Sequence, residues 1–137
     1  MRMSKILVVD DDAELVDATK ELLESRGYEV MTAADGEQGY RIAAAANPDL
    51  VLLDVMMTTD SEGFDIARRL RANPGTRETP VILVTGIKKA KRLPFSYEPD
   101  EDWLPVQAVL DKPVRPDDLL RSIEKALREA EKKRVAT

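Results

Sequence analysis

The chain has 137 residues, of which 43% are hydrophobic and 34% charged, and it carries a net charge of −5 at neutral pH. This length suits one domain with its own core, and the composition is typical of a globular protein rather than a disordered or membrane one. Cysteine and histidine are both absent, which excludes disulfides, thiolate and histidine nucleophiles, and metals ligated by either residue. Any chemistry must therefore use carboxylates, hydroxyls, lysine, arginine or a hard cation.

The first half of the chain predicts two strand and helix units. The continuous apolar run Ile6–Val9 indicates a strand buried on both faces, and Tyr28–Ala33 alternates as a second strand. A helix is predicted after each strand, the first ending near Gly27 and the second, EQGYRIAAAA, ending near Asn47 and Pro48. The apolar or small residues at helical spacing in the first helix are Leu15, Ala18, Thr19, Leu22 and Leu23.

The second half continues the same alternation. LVLLD at Leu50–Asp54 predicts a third strand, and FDIARRLRAN predicts a third helix whose apolar positions are Phe64, Ile66, Ala67 and Leu70. PVILVT at Pro80–Thr85 and QAVLD at Gln107–Asp111 predict two more strands. Pro116 suits the first turn of a final helix, DDLLRSIEKALREAEKK, because proline is tolerated there.

Five strands alternating with helices predict an α/β, doubly wound, five-stranded parallel sheet with helices on both faces. The fourth crossover, Gly86–Val106, is expected to be irregular because it holds three prolines. We expect one domain over residues 1–132 and a frayed tail over residues 133–137. The start lacks the apolar stretch of a signal peptide, so we expect a cytoplasmic protein without a membrane partner, and the negative charge argues against nucleic acid.

Acidic residues follow two of the buried strands. Asp10, Asp11 and Asp12 come after the first strand, and Asp54 ends the third. In open α/β sheets ligands bind outside the carboxyl ends of the strands, where Thr85, Asp111 and Lys112 also fall. Carboxylates gathered at one edge must either raise their pKa values or capture a cation, and oxygen ligands without histidine or cysteine indicate Mg²⁺. Asp12 is better explained as the N-cap of the first helix.

Four segments together resemble the receiver domain of two-component response regulators: KILVVDDD, DLVLLDVMM, PVILVTG and VLDKPV, in this order. The resemblance implies a flavodoxin-like fold like that of the chemotaxis receivers, and it implies that Asp54 accepts a phosphoryl group. It also implies that Asp10, Asp11, Asp54 and the backbone carbonyl of Met56 hold Mg²⁺. Thr85 and Lys112 would contact the phosphoryl group, and the peptide bond before Pro113 would be cis.

The same resemblance implies the partners. A sensor histidine kinase or a histidine phosphotransfer protein would donate the phosphoryl group, and an output protein, which the sequence does not identify, would bind the altered surface. The chain would catalyse its own phosphorylation and dephosphorylation without turning over an external substrate. Because no DNA-binding module follows the last helix, we expect a stand-alone receiver that acts by protein contact.

The sequence departs from the family pattern at several positions. Thr58 replaces a proline and Gly63 comes one residue late, so the loop after Asp54 should differ locally. Val109 stands where the family has an aromatic switch residue. Met56 and Ile87, two residues after Asp54 and Thr85, are apolar and cannot orient an attacking water, which predicts slow loss of the phosphoryl group.

The segment Leu93–Pro105 is proline-rich and contains Phe95, Tyr97 and Trp103. It is either an altered output surface or an ordered loop that packs on the fifth strand. The basic residues of Lys88–Arg92 are most simply a solvated helix turn, with a docking patch as the minority interpretation.

Two other functions are compatible with such a fold. One is a pseudo-receiver that binds partners without phosphorylation, an alternative weakened by the presence of the full set of site residues. The other is a Mg²⁺-dependent hydrolase of the aspartyl-phosphate type. That class usually needs a second aspartate two positions after the nucleophile, where this chain has Met56, and a cap domain for which the chain has no room.

Overall fold

The computed structural model describes residues 3–54, 62–86 and 106–136, except for the side chains of residues 62–63, 85–86, 111–112 and 134–136. One parallel sheet has the strand order β2-β1-β3-β4-β5. Its strands are β1 (Lys5–Val9), β2 (Glu29–Ala33), β3 (Leu50–Asp54), β4 (Val81–Gly86) and β5 (Ala108–Lys112). The described helices are α1 (Ala13–Ser25), α2 (Gly36–Ala46), α3 (Glu62–Ala72) and α4 (Pro116–Ala136).

The observed strands agree with the predicted ones to within one residue at each end. The fourth crossover, predicted to be irregular, lies outside the described residues. Helical backbone continues to Ala136. The limits of the domain at residues 1–132 and a frayed tail over residues 133–137 stay a prediction.

Aspartate side chains cap the first turns of α1 and α2, as expected for this residue type. Asp12 caps α1, and Asp35 caps α2 by accepting a hydrogen bond from the Gln38 backbone N–H at 2.8 Å. The Gln38 side chain accepts in turn from the Ala34 backbone N–H at 2.8 Å, so a reciprocal capping arrangement fixes the turn between β2 and α2. Asn47 ends α2 in the left-handed conformation, with φ of 48°.

Helices pack on both faces of the sheet, as predicted for a doubly wound domain. All five residues of β3 are buried, which explains why its sequence is a continuous apolar run. On one face Leu7, Val9 and Leu53 pack with residues of α2 and α3, and on the other Ile6, Val8 and Leu52 pack with α1 and α4. The four apolar positions predicted for α3, namely Phe64, Ile66, Ala67 and Leu70, are all buried.

Helix α1 contributes less to the core than its apolar spacing indicates. Its buried residues are Val16 and Leu23, whereas Leu15 is 38% exposed. Ala18 is also exposed, and Thr19 and Leu22 are half-buried. The apolar stripe of α1 is therefore turned partly away from the sheet, toward a groove beside α4.

Candidate functional site

The register of the parallel sheet places the carboxyl ends of β1, β3, β4 and β5 at one edge. Val9 pairs with Leu53, so Asp10 and Asp54 leave β1 and β3 at the same level. On the next strands the backbone of Thr85 pairs with that of Asp111, and Gly86 pairs with Lys112. The backbones of the predicted acceptor, hydroxyl residue and lysine thus share the carboxyl edge of the sheet.

Three of the predicted site residues form one carboxylate cluster. Oxygen atoms of Asp10, Asp11 and Asp54 lie within 4.8 Å of one another. Asp10 and Asp54 are 7% and 5% exposed, while Asp11 is exposed to solvent. Two of the carboxylates are therefore largely withdrawn from water, and the third gives the cluster an open side.

Backbone hydrogen bonds fix the first carboxylate of the cluster. The Asp10 backbone N–H donates to the Ala33 carbonyl at 3.1 Å, which ties the end of β1 to the end of β2. One Asp10 carboxylate oxygen, Oδ1, accepts a hydrogen bond from the Asp12 backbone N–H at 3.0 Å. The Asp10 side chain is thus oriented by the turn that follows it.

Asp12 has a different role from Asp10 and Asp11, because it caps a helix. Its Oδ1 accepts from the backbone N–H groups of Glu14 and Leu15 at 3.1 and 3.2 Å, which confirms its prediction as the N-cap of α1. The cap holds the turn whose N–H group orients Asp10. Sequence reasoning identified the cap but missed this coupling, because it depends on the turn conformation rather than on residue type.

The chemistry of the cluster follows from its charge and its donor atoms. Three carboxylates at this separation repel one another, and the repulsion is stronger for groups withdrawn from water. A divalent cation would remove it, and hard oxygen donors suit Mg²⁺ or Ca²⁺ better than softer metals. The residues present thus fit a hard divalent cation.

Several predicted features lie outside the described residues or side chains. These are Met56 and the loop with Thr58, the Lys88–Arg92 run, the segment Leu93–Pro105 with Trp103, Ile87, and the side chains of Thr85 and Lys112. The cis peptide bond before Pro113 also stays a prediction. Val109, which replaces the aromatic switch residue, is described: it is half-buried and packs against the core on the α2 and α3 face.

Comparisons with known proteins agree with this fold. The family model of the response regulator receiver domain matches residues 6–124. The DNA-binding dual master transcriptional regulator RpaA of Synechocystis is 30% identical over 130 residues, which are 95% of this chain and 52% of that protein. Protein PilH of Pseudomonas aeruginosa is 33% identical over 128 residues, covering 91% of this chain and 98% of that protein.

A solved CheY-like receiver domain from Methanospirillum hungatei superposes with a TM-score of 0.77 at 31% identity, covering 96% of this chain and 99% of that one. The chain belongs to the response regulator receiver domain family. It therefore has the flavodoxin-like fold expected from the resemblance. The chain spans about half of RpaA. Among the described residues, no helix is both long and apolar enough to cross a membrane.

Proposed function

We propose that this receiver accepts a phosphoryl group on Asp54 and signals through the resulting change of its surface. The observation that carries the proposal is the convergence of Asp10, Asp11 and Asp54, whose carboxylate oxygens lie within 4.8 Å at the end of β1 and β3. Asp54 is the member of the cluster that ends a fully buried strand, so its position is held by the sheet. A positioned carboxylate is a competent phosphoryl acceptor.

The residues that would hold Mg²⁺ are Asp10, Asp11 and Asp54, joined by the backbone carbonyl of Met56. Oxygen atoms of the three aspartates lie within 4.8 Å of one another, and carboxylate oxygens are donors that suit Mg²⁺. When bound, the cation would supply neutralisation of the charge on the phosphoryl oxygens.

The transfer needs in-line positioning and charge neutralisation more than proton transfer. An Asp54 carboxylate oxygen forms the new bond to phosphorus as the phosphorus–nitrogen bond of a phosphohistidine breaks, and the departing imidazole takes the electron pair and a proton from solvent. The Lys112 ammonium and the Thr85 hydroxyl would contact the phosphoryl oxygens from β5 and β4. The phosphoryl group is lost in a separate hydrolysis: water attacks phosphorus, the bond to the Asp54 oxygen breaks, and inorganic phosphate leaves.

A phosphohistidine donor must lie outside this sequence, because the sequence contains no histidine. We propose a sensor histidine kinase or a histidine phosphotransfer protein as donor and a separate, unidentified protein as output partner. The chain would act on itself and would not turn over an external substrate. The absence of nucleic acid and membrane partners stays a prediction.

The experiment is intact-protein mass spectrometry after incubation with acetyl phosphate. The natural chain with Mg²⁺ should gain the mass of one phosphoryl group. The gain should disappear in Asp54→Asn and when EDTA removes the metal. Asp17→Asn, which changes an exposed carboxylate of α1, is the matched control and should react as the natural chain does. An Asp54→Asn variant that still gains one phosphoryl group would contradict the assignment.

If the natural chain gains no mass, the same comparison is repeated with a phosphorylated histidine kinase. A folded, Mg²⁺-binding chain that accepts from neither donor would overturn the proposal in favour of the pseudo-receiver. Turnover of a phosphomonoester would instead favour the hydrolase.

A further inference from the structure

One peptide group lies between the carboxylate cluster and the first turn of α2. Its carbonyl, which belongs to Ala33, accepts a hydrogen bond from the Asp10 backbone N–H at 3.1 Å. Its N–H, which belongs to Ala34, donates to Oε1 of Gln38 at 2.8 Å. The peptide group that joins Ala33 to Ala34 is therefore hydrogen-bonded at both ends, to Asp10 on one side and to Gln38 on the other.

Gln38 is itself held in place by the start of α2. Its backbone N–H donates to Asp35 Oδ1 at 2.8 Å, so the residue belongs to the capped first turn of the helix. The next residue, Gly39, packs closely on β1: a Cβ atom at this position would lie 2.8 Å from Cγ2 of Val9. The first turn of α2 thus contacts β1 directly at Val9 and through one peptide group at Asp10.

These contacts restrain Asp10 in addition to the turn that follows it. In that turn the Asp12 backbone N–H donates to Asp10 Oδ1 at 3.0 Å. Hydrogen bonds in series polarise one another, so an acceptor on the Ala34 N–H strengthens the bond that the Ala33 carbonyl accepts. The main chain of Asp10 is therefore held through Gln38, and its side chain is held by Asp12.

A role in core packing does not explain the Gln38 side chain. Gln38 is exposed, whereas Asp10 is buried. An exposed side chain that makes no special contact contributes little to the stability of a fold. The contact that Gln38 makes is with the backbone unit that holds Asp10, and this contact links an exposed residue of α2 to the carboxylate cluster.

We propose that Gln38 is a positioning residue for the cation site, acting through the peptide group between Ala33 and Ala34 to fix Asp10. The inference rests on the proposed function, because it takes Asp10 as a ligand of Mg²⁺. It requires no contact between Gln38 and the cation. A ligand that is already held in place loses less freedom when the cation binds, and this preorganisation increases affinity.

The first test measures backbone amide hydrogen exchange by NMR in the full, metal-free chain. Gln38→Ala should accelerate exchange at the Asp10 amide, because the bond to the Ala33 carbonyl weakens. The matched control is Asn73→Ala, which removes the acceptor of the Gly75 backbone N–H, 2.9 Å away, in the turn before β4 at the opposite edge of the sheet. Equal acceleration of the Asp10 amide in the two variants would reflect general loss of stability and would overturn the proposal.

The second test is calorimetric titration of the unphosphorylated chain with Mg²⁺. Gln38→Ala should weaken binding about threefold to tenfold, less than the roughly tenfold to hundredfold typical of groups bonded directly to a metal ligand. Asn73→Ala should not weaken it. Gln38→Glu keeps an acceptor for the Ala34 N–H and should bind Mg²⁺ within about twofold of the natural chain. Its Asp10 amide should also exchange as in the natural chain, an effect that added negative charge alone would not produce.

The outcomes separate this inference from the proposed function. If the natural chain and Gln38→Ala bind Mg²⁺ equally, the positioning role is overturned and the proposed function stands. If the natural chain binds no Mg²⁺, both are overturned. Gln38→Glu that behaves as Gln38→Ala does would show that the acceptor on the Ala34 N–H is not what controls the site, and would also overturn the positioning role.

Discussion

The two ends of β3 each carry an aspartate, five residues apart, and the two residues have different surroundings. At the amino end, Asp49 Oδ2 accepts a hydrogen bond from the Lys5 backbone N–H at 2.7 Å, and its own N–H donates to the Lys5 carbonyl at 2.8 Å. At the carboxyl end, Asp54 lies among the carboxylates of Asp10 and Asp11. Asp49 joins two strands, whereas Asp54 adds charge to a cluster that a cation would relieve.

The difference shows that surroundings rather than residue type separate a structural carboxylate from a candidate reactive one. A carboxylate such as Asp49, which accepts a backbone N–H from a neighbouring strand, contributes to stability. A carboxylate held near two others weakens stability by repulsion unless something else compensates. Substitutions at the two ends should therefore change different measured quantities.

The largest expected contrast is between Asp54 and Asp49. Asp49→Ala should still take up one phosphoryl group from acetyl phosphate, but its free energy of unfolding should fall by about 1–2 kcal/mol because the Lys5 N–H loses its acceptor. Asp54→Asn should lose phosphorylation completely without becoming less stable. Urea denaturation and intact mass measure the two effects. Loss of phosphorylation in a folded Asp49→Ala would abolish the distinction.

A second comparison is between Asp11 and Asp12, which are adjacent in the sequence and follow β1 at the carboxyl edge of the sheet. Asp11→Ala should weaken Mg²⁺ binding about tenfold or more, because it removes a proposed ligand. Asp12→Ala removes the N-cap of α1 and should lower stability by about 1 kcal/mol with a much smaller effect on Mg²⁺. Calorimetric titration with Mg²⁺ compares them. Equal losses of Mg²⁺ affinity would indicate that the cap, rather than the Asp11 ligand, controls the site.

The lifetime of the phosphoryl group on Asp54 depends on whether nearby side chains can orient an attacking water. Because Met56 and Ile87 are apolar, neither can position the attacking water, and we expect loss over minutes or longer. Met56→Asn should shorten the lifetime, whereas Met56→Leu should not. Time-resolved phosphate release after removal of the donor measures it. Loss from the natural chain within seconds would count against this explanation.

The smallest effect is expected at the amino edge, where Tyr28 precedes β2. Burial, followed by the nearby Glu124 carboxylate, raises the pKa of Tyr28 above its usual value of about 10. As the pH rises above about 10, Tyr28 loses its proton in the unfolded chain before it does so in the folded chain. The contribution of Tyr28 to the free energy of unfolding is therefore complete below about pH 10 and is lost as the pH rises through the pKa of the folded chain.

Tyr28→Phe lacks this ionisation. The natural chain should therefore lose unfolding free energy relative to Tyr28→Phe between pH 8 and pH 11, while the other tyrosines and the lysines cancel in the comparison. Urea denaturation at both pH values measures it. An unchanged difference would mean that Tyr28 ionises equally in the folded and unfolded chains.

Strands, helix order and the acidic edge were predictable from local patterns. The runs ILVV and LVLL are apolar because β1 and β3 are covered on both faces, and parallel connectivity then places Asp10, Asp11 and Asp54 together. The caps at Asp12 and Asp35 follow from side-chain chemistry that is visible in the sequence. Family resemblance added roles for Thr85 and Lys112 that spacing alone would not give.

Tertiary placement was less predictable. Of the apolar positions predicted for α1, Leu23 enters the core together with Val16, which the spacing did not include, whereas Leu15 and Ala18 are exposed. Helical periodicity fixes an apolar stripe but not how far a neighbouring helix covers it. The orientation of Asp10 by the Asp12 N–H likewise depends on the turn, which residue types alone do not specify.

The most direct test of the central claim is to locate the phosphoryl group on the chain. Borohydride reduces an aspartyl phosphate to homoserine, so the natural chain treated with acetyl phosphate and Mg²⁺ and then reduced can be mapped by peptide mass spectrometry. The account predicts homoserine at position 54 and nowhere else, and none when Mg²⁺ is withheld. Homoserine at position 10 or 11, or a phosphoryl adduct that maps away from position 54, would contradict it.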